Sequence, residues 1–162
     1  MAEAAPLVSD DIAELDTPAL VAHILQRYHQ VHRAELPSLI GRARKVEAVH
    51  ADHPECPAGL ARFLEEVEDV LDGHMAKEEE ILFPMMLSGS PPPMIRMPIS
   101  VMQDEHEEHL RTLAALRRLT GGMKPPEDAC GTWCGLYAGL AKLADDLSAH
   151  IEIENSLLFP RF

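Results

Sequence analysis

The sequence is poor in residues that several classes of protein require. Its 162 residues include only three cysteines, Cys56, Cys130 and Cys134, which are too few for a paired disulfide framework. Cys130 and Cys134 stand four apart without a second pair, so we interpret all three as reduced or packing residues rather than zinc ligands. Aromatic residues are few as well, whereas Leu and Ala are abundant, and this mixture favours packed helices over a sheet.

Long hydrophobic runs and a leader are also missing. No apolar stretch approaches the roughly 20 residues that a transmembrane helix needs. Residues 1–11, MAEAAPLVSDD, contain neither a basic region nor an apolar core, so we expect no secretory signal and a cytoplasmic location. Positive charge is scarce: 14 Lys and Arg stand against 27 Asp and Glu, a net charge of −13. This balance argues against nucleic acid or an anionic membrane surface as a partner.

What the sequence does contain is four long segments with apolar residues at helical spacing. Breaks rich in proline and glycine separate them at residues 50–57, 88–98 and 120–126. The length suits one domain with a single core. We therefore predict an all-α fold, an antiparallel four-helix bundle over residues 15–162 that follows a flexible tail of residues 1–14.

Proline and capping residues predict where these helices begin. Thr17 is a candidate N-cap before Pro18, and Pro37 predicts a kink or break inside the first helix. A proline in the first helical turn is well tolerated, because its missing N–H has no intrahelical partner there. On that basis the other three helices are predicted to start at Pro57, near Pro98 and at Pro126.

A repeated motif lies on the second and fourth segments. Residues 74–84 and 150–160 both read H-x3-E-x3-L-F-P, with His74 and Glu78 in one copy and His150 and Glu154 in the other. Residues four apart lie on one helix face, so each His–Glu pair points at the same place. Both pairs continue an apolar stripe, and a buried carboxylate is costly unless it is paired or binds a metal ion.

The first and third segments each carry a matching H-x2-H pattern, as His29 with His32 and His106 with His109. The separation from His29 and from His106 to the following H-x3-E copy is nearly the same, 45 and 44 residues. The chain therefore has the pattern of two helical hairpins whose half-sites face each other in a bundle core. The spacing does not decide which histidine of each H-x2-H pair is the ligand and which is a replacement or a supporting hydrogen-bond partner.

Two carboxylates and four histidines in one core predict a pair of metal ions. Two bridging glutamates, four terminal histidines and an oxo or hydroxo bridge leave about one open position on each octahedral ion. Iron fits such a redox-active site best, with manganese or zinc as alternatives. A structural zinc site would close with four ligands and favour cysteine.

Several other polar residues receive a structural interpretation. His50 completes an E-x-x-H pattern of the kind used by ferritin-like bundles, but that design needs two copies, so we interpret His50 as satisfied or exposed unless it replaces a ligand. Glu79 and Glu80 continue an acidic run of the kind usually found on a solvated helix face. Tyr28 and Tyr137 are interpreted as core-packing residues, with a role near a metal ion as the alternative.

Together these residues resemble the hemerythrin-like family, whose four-helix bundles hold two irons with histidines and bridging carboxylates. The chain is most similar to the branch of di-iron proteins for repair of iron centres, from about Leu15 to Phe162. The stretches that carry the resemblance are Arg27-Tyr28-His29, residues 45–52 (KVEAVHAD), His74-Met75, Lys77-Glu78-Glu79, residues 81–84 (ILFP), residues 98–102 (PISVM), Glu154-Asn155 and residues 158–161 (LFPR).

The resemblance implies a particular ligand set. Glu78 and Glu154 would bridge two irons, and the terminal ligands would be His29, His74, His106 and His150. Full-length members of this branch also carry a small N-terminal domain with adjacent cysteines, which this sequence does not contain.

The resemblance also implies a function. It indicates a non-haem di-iron protein of nitrosative and oxidative stress that binds nitric oxide or dioxygen. The associated activities are nitric oxide reduction and the supply of iron for iron–sulfur cluster repair, with proteins that carry damaged clusters as partners. The alternative is an oxygen-binding carrier or a redox or gas sensor module.

Overall fold

The structure, a computed structural model, describes residues 9–162. Over that range the chain forms helices joined by turns and contains no strand. The α-helices are α1 (Asp10–Ala13), α2 (Thr17–Ile24), α3 (Gln30–Val49), α4 (Leu60–Lys77), α5 (Phe83–Leu87), α6 (Pro92–Leu119) and α7 (Gly131–Ile153). Between and after them lie three single π-helical turns, π1 (Leu25–His29), π2 (Glu78–Leu82) and π3 (Glu154–Leu158), and a 3₁₀ turn at Phe159–Arg161.

Successive elements join into four long helices, which confirms the predicted bundle. The first consists of α2, π1 and α3, the second of α4, π2 and α5, the third of α6, and the fourth of α7, π3 and the 3₁₀ turn. Both α3 and α6 pack against α4 and α7. Within residues 9–162, none of these helices has the length and apolar content needed to cross a bilayer.

Two clusters of buried apolar side chains form the interior. The larger draws on α3, α4, α7 and the C-terminal half of α6, around Trp133 and Leu140. The smaller draws on α2, π1, α5, the N-terminal half of α6 and the end of the fourth helix, around Ile24 and Phe83. The buried histidines and glutamates lie between the two clusters along each long helix, and such residues are tolerated in an interior only when they are paired or bind a cation.

The predicted start of the first helix is wrong by one residue. Asp16 rather than Thr17 is the N-cap, and its side chain accepts a hydrogen bond from the Ala19 N–H at 2.9 Å. Pro37 does not break this helix, because it lies inside α3, which continues through it. The missing N–H of Pro37 costs one backbone hydrogen bond. Burial of the neighbouring Leu36 in the larger core cluster opposes that cost.

The predicted starts of the second and fourth helices are wrong as well. The second helix begins at Leu60 rather than Pro57, after Gly59, whose φ of +86° suits a residue without a side chain. The fourth begins at Gly131 rather than at Pro126. In both cases the proline lies in the preceding turn, so the chain still changes direction before the helix starts.

The third helix begins earlier than predicted, at Pro92 rather than near Pro98. Prolines at positions 91–93 were interpreted as part of a loop, yet their fixed φ angle suits the first helical turn, where no N–H is needed. Pro98 therefore lies inside α6.

The predicted flexible tail covers residues 1–14. Residues 1–8 of it lie outside the described part of the chain. Residues 10–13 form the single turn of α1, directly before α2. The boundary at residue 15 and the flexibility of the tail stay predictions.

Candidate metal centre

The six residues that the resemblance implies as ligands all lie in the buried polar layer, and each exposes at most 2% of its surface. All four long helices contribute to the set. The six are His29, His74, Glu78, His106, His150 and Glu154.

Three of the four helices are locally π-helical at this layer. In each π turn one N–H bonds the carbonyl five residues earlier, from residue 30 to 25, from 83 to 78 and from 159 to 154. Glu78 and Glu154 open their π turns, and His29 closes the third. Single π turns of this kind are common at functional sites. The proline six residues after each glutamate lacks the N–H that an uninterrupted α-helix would use, which favours the irregular turn there.

Glu78 stands between histidines from three helices. Its Oε2 lies 3.2 Å from His29 Nε2, whereas its Oε1 lies 3.2 Å from His74 Nε2 and 3.8 Å from His106 Nε2. The two oxygens of one carboxylate thus face different histidines. This is the arrangement expected of a carboxylate that bridges two cations.

Glu154 repeats this arrangement from the opposite helix. Its Oε1 lies 3.1 Å from His150 Nε2 and its Oε2 lies 3.0 Å from His106 Nε2. Each carboxylate therefore contributes one oxygen to each side of the layer.

The donor atoms divide into two groups whose members lie within 4.8 Å of one another. Glu78 and Glu154 belong to both. His29 and His150 complete one group, and His74 and His106 complete the other. Each group takes one histidine from each hairpin, so neither hairpin contains a half-site by itself.

On the Glu78 side, carboxylates support the histidines from behind. His29 Nδ1 donates to Glu79 Oε1 at 2.7 Å, and His74 Nδ1 donates to Glu105 Oε2 at 2.8 Å. Cations anchor both supporting carboxylates in turn, since Arg33 bonds Glu79 and Lys77 bonds Glu105. An outward Nδ1–H leaves the Nε2 lone pair facing the layer, as a metal-ligating histidine requires.

Neutral groups support the other two histidines. His106 Nδ1 donates to the side-chain oxygen of Asn155 at 2.9 Å. His150 Nδ1 lies 3.3 Å from His32 Nε2, in hydrogen-bonding contact. Burial, followed by the nearby His150 and His29, lowers the pKa of His32 to about 3, so His32 is neutral and able to accept.

These donors fit a pair of cations. The Nε2 atoms of His29 and His150 are 3.2 Å apart, as are those of His74 and His106, so lone pairs oppose each other when Nδ1 carries the hydrogen. Among residues 9–162, both oxygens of Glu78 are buried without a hydrogen bond of normal geometry, as is Oε2 of Glu154. A cation in each group satisfies these atoms together, and the residues therefore fit a dinuclear metal site.

The same contacts explain the titration of the layer without metal. Burial by itself lowers the pKa of His106, but the hydrogen bonds with Glu154 and Glu78 outweigh it and raise that pKa to about 10. Burial raises the pKa of Glu78, yet the surrounding histidines lower it well below its usual range. The layer thus holds ionised carboxylates, and metal ions compete there with protons for the histidines.

The structure separates the histidines that the spacing left undecided. His32 supports His150 and lies outside both donor groups. His109 also lies outside them, with its ring edge-on to His74 at 4.7 Å between centroids. His50 lies at the end of α3, with Nε2 3.2 Å from Cys130 Sγ and its ring against Trp133, so it does not replace a ligand.

Sequence reasoning missed three supporting residues. Glu79 was interpreted as part of a solvated face, but it is only partly exposed and bonds both His29 and Arg33. Glu105 and Asn155 were not singled out as supports. The only sequence signal was their position directly before or after a predicted ligand, which does not show whether a side chain turns inwards.

The aromatic and cysteine predictions have clear outcomes. Tyr28 is buried and stacks on His150 at 5.3 Å between centroids, and Tyr137 belongs to the larger core cluster. Cys56, Cys130 and Cys134 are all free thiols.

Comparison with known proteins connects this geometry to a family. The family described as the hemerythrin HHE cation binding domain matches residues 20–162. Relatives named iron–sulfur cluster repair protein YtfE, from Escherichia coli O81 (strain ED1a), Escherichia coli O1:K1 / APEC and Escherichia fergusonii, are each 46% identical to the chain over 142 residues. The match covers 88% of this chain and 64% of each relative, so the chain spans slightly less than two thirds of their length.

Proposed function

The chain belongs to the hemerythrin HHE cation-binding family, and from this premise we propose that it is a non-haem di-iron protein of nitrosative and oxidative stress. Its two irons would share Glu78 and Glu154 as bridges, together with an oxo or hydroxo bridge. The terminal ligands would be His29 and His150 on one iron and His74 and His106 on the other.

One observation carries the proposal: Glu78 and Glu154 each offer different oxygens to the two histidine pairs. A purely structural polar layer does not need two fully buried carboxylates that share four imidazoles. Two cations would compensate the buried negative charge of these carboxylates and would use every Nε2 lone pair in the layer. The absence of cysteine from the two donor groups favours iron over a structural zinc site.

Six protein ligands do not fill two octahedral ions, and this is the basis of the proposed gas chemistry. Bound iron supplies open coordination positions and electrons for nitric oxide or dioxygen. The protein's part is to fix the donors and to keep water away. Phe83 packs against His29 at 5.8 Å between centroids, and Phe159 packs against His106 at 5.7 Å. Low polarity around the donors strengthens their electrostatic interaction with a bound cation.

The name of the relatives, iron–sulfur cluster repair protein, extends the proposal towards such repair. The chain would act in the cytoplasm, either by reducing nitric oxide or by releasing iron for damaged cluster proteins. The chain spans only part of those relatives. We therefore propose the recognition of a damaged protein as part of the repair activity without assigning it to particular residues.

The test is the metal content of the purified protein, with absorption spectra before and after anaerobic reduction and addition of nitric oxide. We expect two irons per chain and a spectrum that changes with nitric oxide. Glu78→Gln should lose the paired-iron spectrum, because an amide NH2 group, which does not bind iron, replaces one of the two carboxylate oxygens that would bridge the irons. Glu80→Gln is the matched control: Glu80 lies two residues away and is exposed, so its spectrum should be unchanged.

The outcomes separate the candidate functions. Production of nitrous oxide over many cycles supports turnover, whereas reversible dioxygen binding without turnover supports the carrier or sensor alternative. If anaerobic reconstitution yields no iron, or if Glu78→Gln keeps two irons with the wild-type spectrum, the di-iron assignment is wrong.

A further inference from the structure

A cleft between α4 and α6 leads from the surface towards the candidate metal centre. Its volume is about 180 Å³. Phe63, Val67 and Val70 on α4 form one wall, with Glu66 at the rim, and Thr112 and His109 on α6 form the other. These dimensions suit a small molecule, and the apolar wall suits an uncharged one.

His109 stands between this cleft and the site. Its ring lines the cleft and also meets the ring of His74 edge-on, at 4.7 Å between centroids. His109 is 5% exposed, and its Nε2 is buried without a hydrogen-bond partner among residues 9–162. A ring that is held by packing and lacks a bond at Nε2 turns at a lower cost than one bonded at both nitrogens.

The pseudo-symmetric residue His32 behaves differently. Its Nε2 is in hydrogen-bonding contact with His150, and it packs between that ring and Tyr28. Aromatic side chains also cover two of the other histidines: Phe83 packs on His29, and Phe159 packs on His106. Of the four predicted ligand histidines, His74 is the one whose neighbouring ring borders a described cleft.

Two other described cavities are less suited to this task. One lies beside Arg33 and Asp72, whose side chains form an ion pair. The other is an apolar groove beside Val101 and Met97 whose lining includes Lys77. Neither is lined by a residue whose ring meets a predicted ligand histidine, as His109 does in the α4–α6 cleft.

We propose that the α4–α6 cleft is the entry site for a small uncharged diatomic molecule, and that the His109 ring is the gate through which it reaches the half-site of His74 and His106. The inference rests on the proposed function, because it assigns a route to the gas ligand of the same site. It predicts that blocking the cleft slows entry and exit equally, and that it leaves the equilibrium affinity unchanged.

The first experiment locates the cleft with xenon, a probe that occupies apolar cavities and does not depend on iron chemistry. Crystals of the metal-loaded protein under xenon pressure should show a xenon atom between Val67 and Thr112. Xenon in the Val101 groove alone would overturn the proposal. Val70→Trp, which adds a large side chain at the mouth, should remove the bound xenon.

The second experiment measures nitric oxide association and dissociation by stopped-flow absorption on the reduced di-iron protein. Val70→Trp should lower both rate constants by about tenfold with unchanged metal content, since a blocked route raises one barrier in both directions. Val101→Trp, at an exposed valine of the other groove, is the matched control and should keep wild-type rates.

Variants of His109 test the gate itself. His109→Ala should raise both rate constants, whereas His109→Phe, which keeps a ring of similar size, should not. Unchanged rates in Val70→Trp and His109→Ala, beside normal nitric oxide spectra, would overturn the entry site and leave the proposed function intact. Wild-type protein with two irons and no nitric oxide spectrum would contradict the proposed function and the entry role together.

Discussion

The surroundings of Glu78 and Glu154 differ although the two residues occupy equivalent places in the repeat. The histidines nearest Glu78, His29 and His74, are backed by carboxylates that half-exposed or exposed cations hold in turn. The histidines nearest Glu154, His106 and His150, are backed by an amide and a neutral imidazole. The two histidines of the first hairpin are therefore supported by charge that extends to the surface, and the two histidines of the second hairpin by neutral groups.

This difference shows that the repeat preserves the donor residues that a cation would require. It does not preserve the residues that support those donors. Glu79 and Asn155 both follow a glutamate of the H-x3-E repeat, and Glu105 and Tyr28 both precede an H-x2-H histidine. A cation needs the same donor atoms on each side, so the donors match. Any acceptor at Nδ1 can orient an imidazole, so the supports are free to differ. Each donor group therefore pairs one histidine that has a charged support with one that has a neutral support.

The largest effect should come from removing a charged support. Glu79→Ala takes away the carboxylate behind His29 and should lower metal affinity by about 10–100-fold, the usual range for such a partner. Asn155→Ala, at the equivalent place in the repeat, removes only a neutral acceptor and should cost less. Competition against a chromogenic chelator measures both. Equal losses in the two variants would show that charge at the support is unimportant.

Glu80→Ala serves as the control for the Glu79 variant. It deletes a neighbouring carboxylate of the same helix that is exposed and, within residues 9–162, forms no recorded ion pair. Its affinity should match that of the wild-type protein. A loss as large as that of Glu79→Ala would attribute the effect to net charge and not to the hydrogen bond with His29.

The second effect concerns Asp146, a buried carboxylate that connects two helices and does not support a predicted metal ligand. Asp146 lies one turn before His150 and accepts from Arg27 on π1 and from Lys142, both at 2.7 Å. Asp146→Asn should lower the free energy of unfolding by about 1–2 kcal/mol, since two charge-assisted bonds are weakened. Metal affinity should change little. Urea unfolding of the metal-free proteins measures the difference, and a large loss of affinity with normal stability would contradict this role.

The pH dependence of that difference has a definite sign. Burial raises the pKa of Asp146, but the hydrogen bonds from Arg27 and Lys142 outweigh it and lower that pKa below its ordinary value. The unfolded chain therefore binds the proton more readily than the folded one, and the stabilisation is fully present above the ordinary pKa. It is lost as the pH falls through the folded value. The stability gap between wild type and Asp146→Asn should close in acid, and a gap that widens there would be inconsistent with this assignment.

A smaller effect is expected when the neutral support of His106 is given a charge. In the wild-type protein His106 Nδ1 lies 2.9 Å from the amide oxygen of Asn155. Asn155→Asp keeps an acceptor oxygen at that place and adds a negative charge. Metal affinity should rise by less than about tenfold, and the reduction potential of the metal pair should fall. Potentiometric titration measures the shift. Gln103→Glu, the same chemical change at an exposed position of α6, should leave the potential unaltered.

The layout of the bundle and its donors was predictable because both depend on periodic constraints. Apolar residues at helical spacing predicted the four helices, and the H-x3-E repeat, with the hemerythrin-like resemblance, selected the six residues that the structure brings together. The family match confirms that resemblance. That these residues bind iron stays a prediction, which the metal analysis tests.

The remaining features depend on contacts between helices that periodicity does not describe. The choice between His29 and His32 follows from which ring meets Glu78, since His29 does so whereas His32 contacts only the outward Nδ1 of His150. Glu105 supports His74 across two helices, so only the packed bundle reveals it. The π turns add one residue per turn without a distinctive composition. A helical pattern at a constant 3.6 residues per turn therefore passes over them.

The smallest effect separates local contacts from the overall field of an acidic protein. Arg111 pairs with Glu107 and Glu108 on the exposed face of α6 and, within residues 9–162, forms no ion pair with a supporting residue. Arg111→Ala should change the free energy of unfolding by less than about 0.5 kcal/mol, as exposed pairs within a helix usually do. It makes the net charge more negative, yet metal affinity should stay within about twofold of wild type, because salt at about 0.15 M screens charges beyond roughly 8 Å. If chelator competition shows a large change, a general field governs metal binding. The contrast between the Glu78 and Glu154 surroundings would then reflect where charges lie, and not which histidine each support touches.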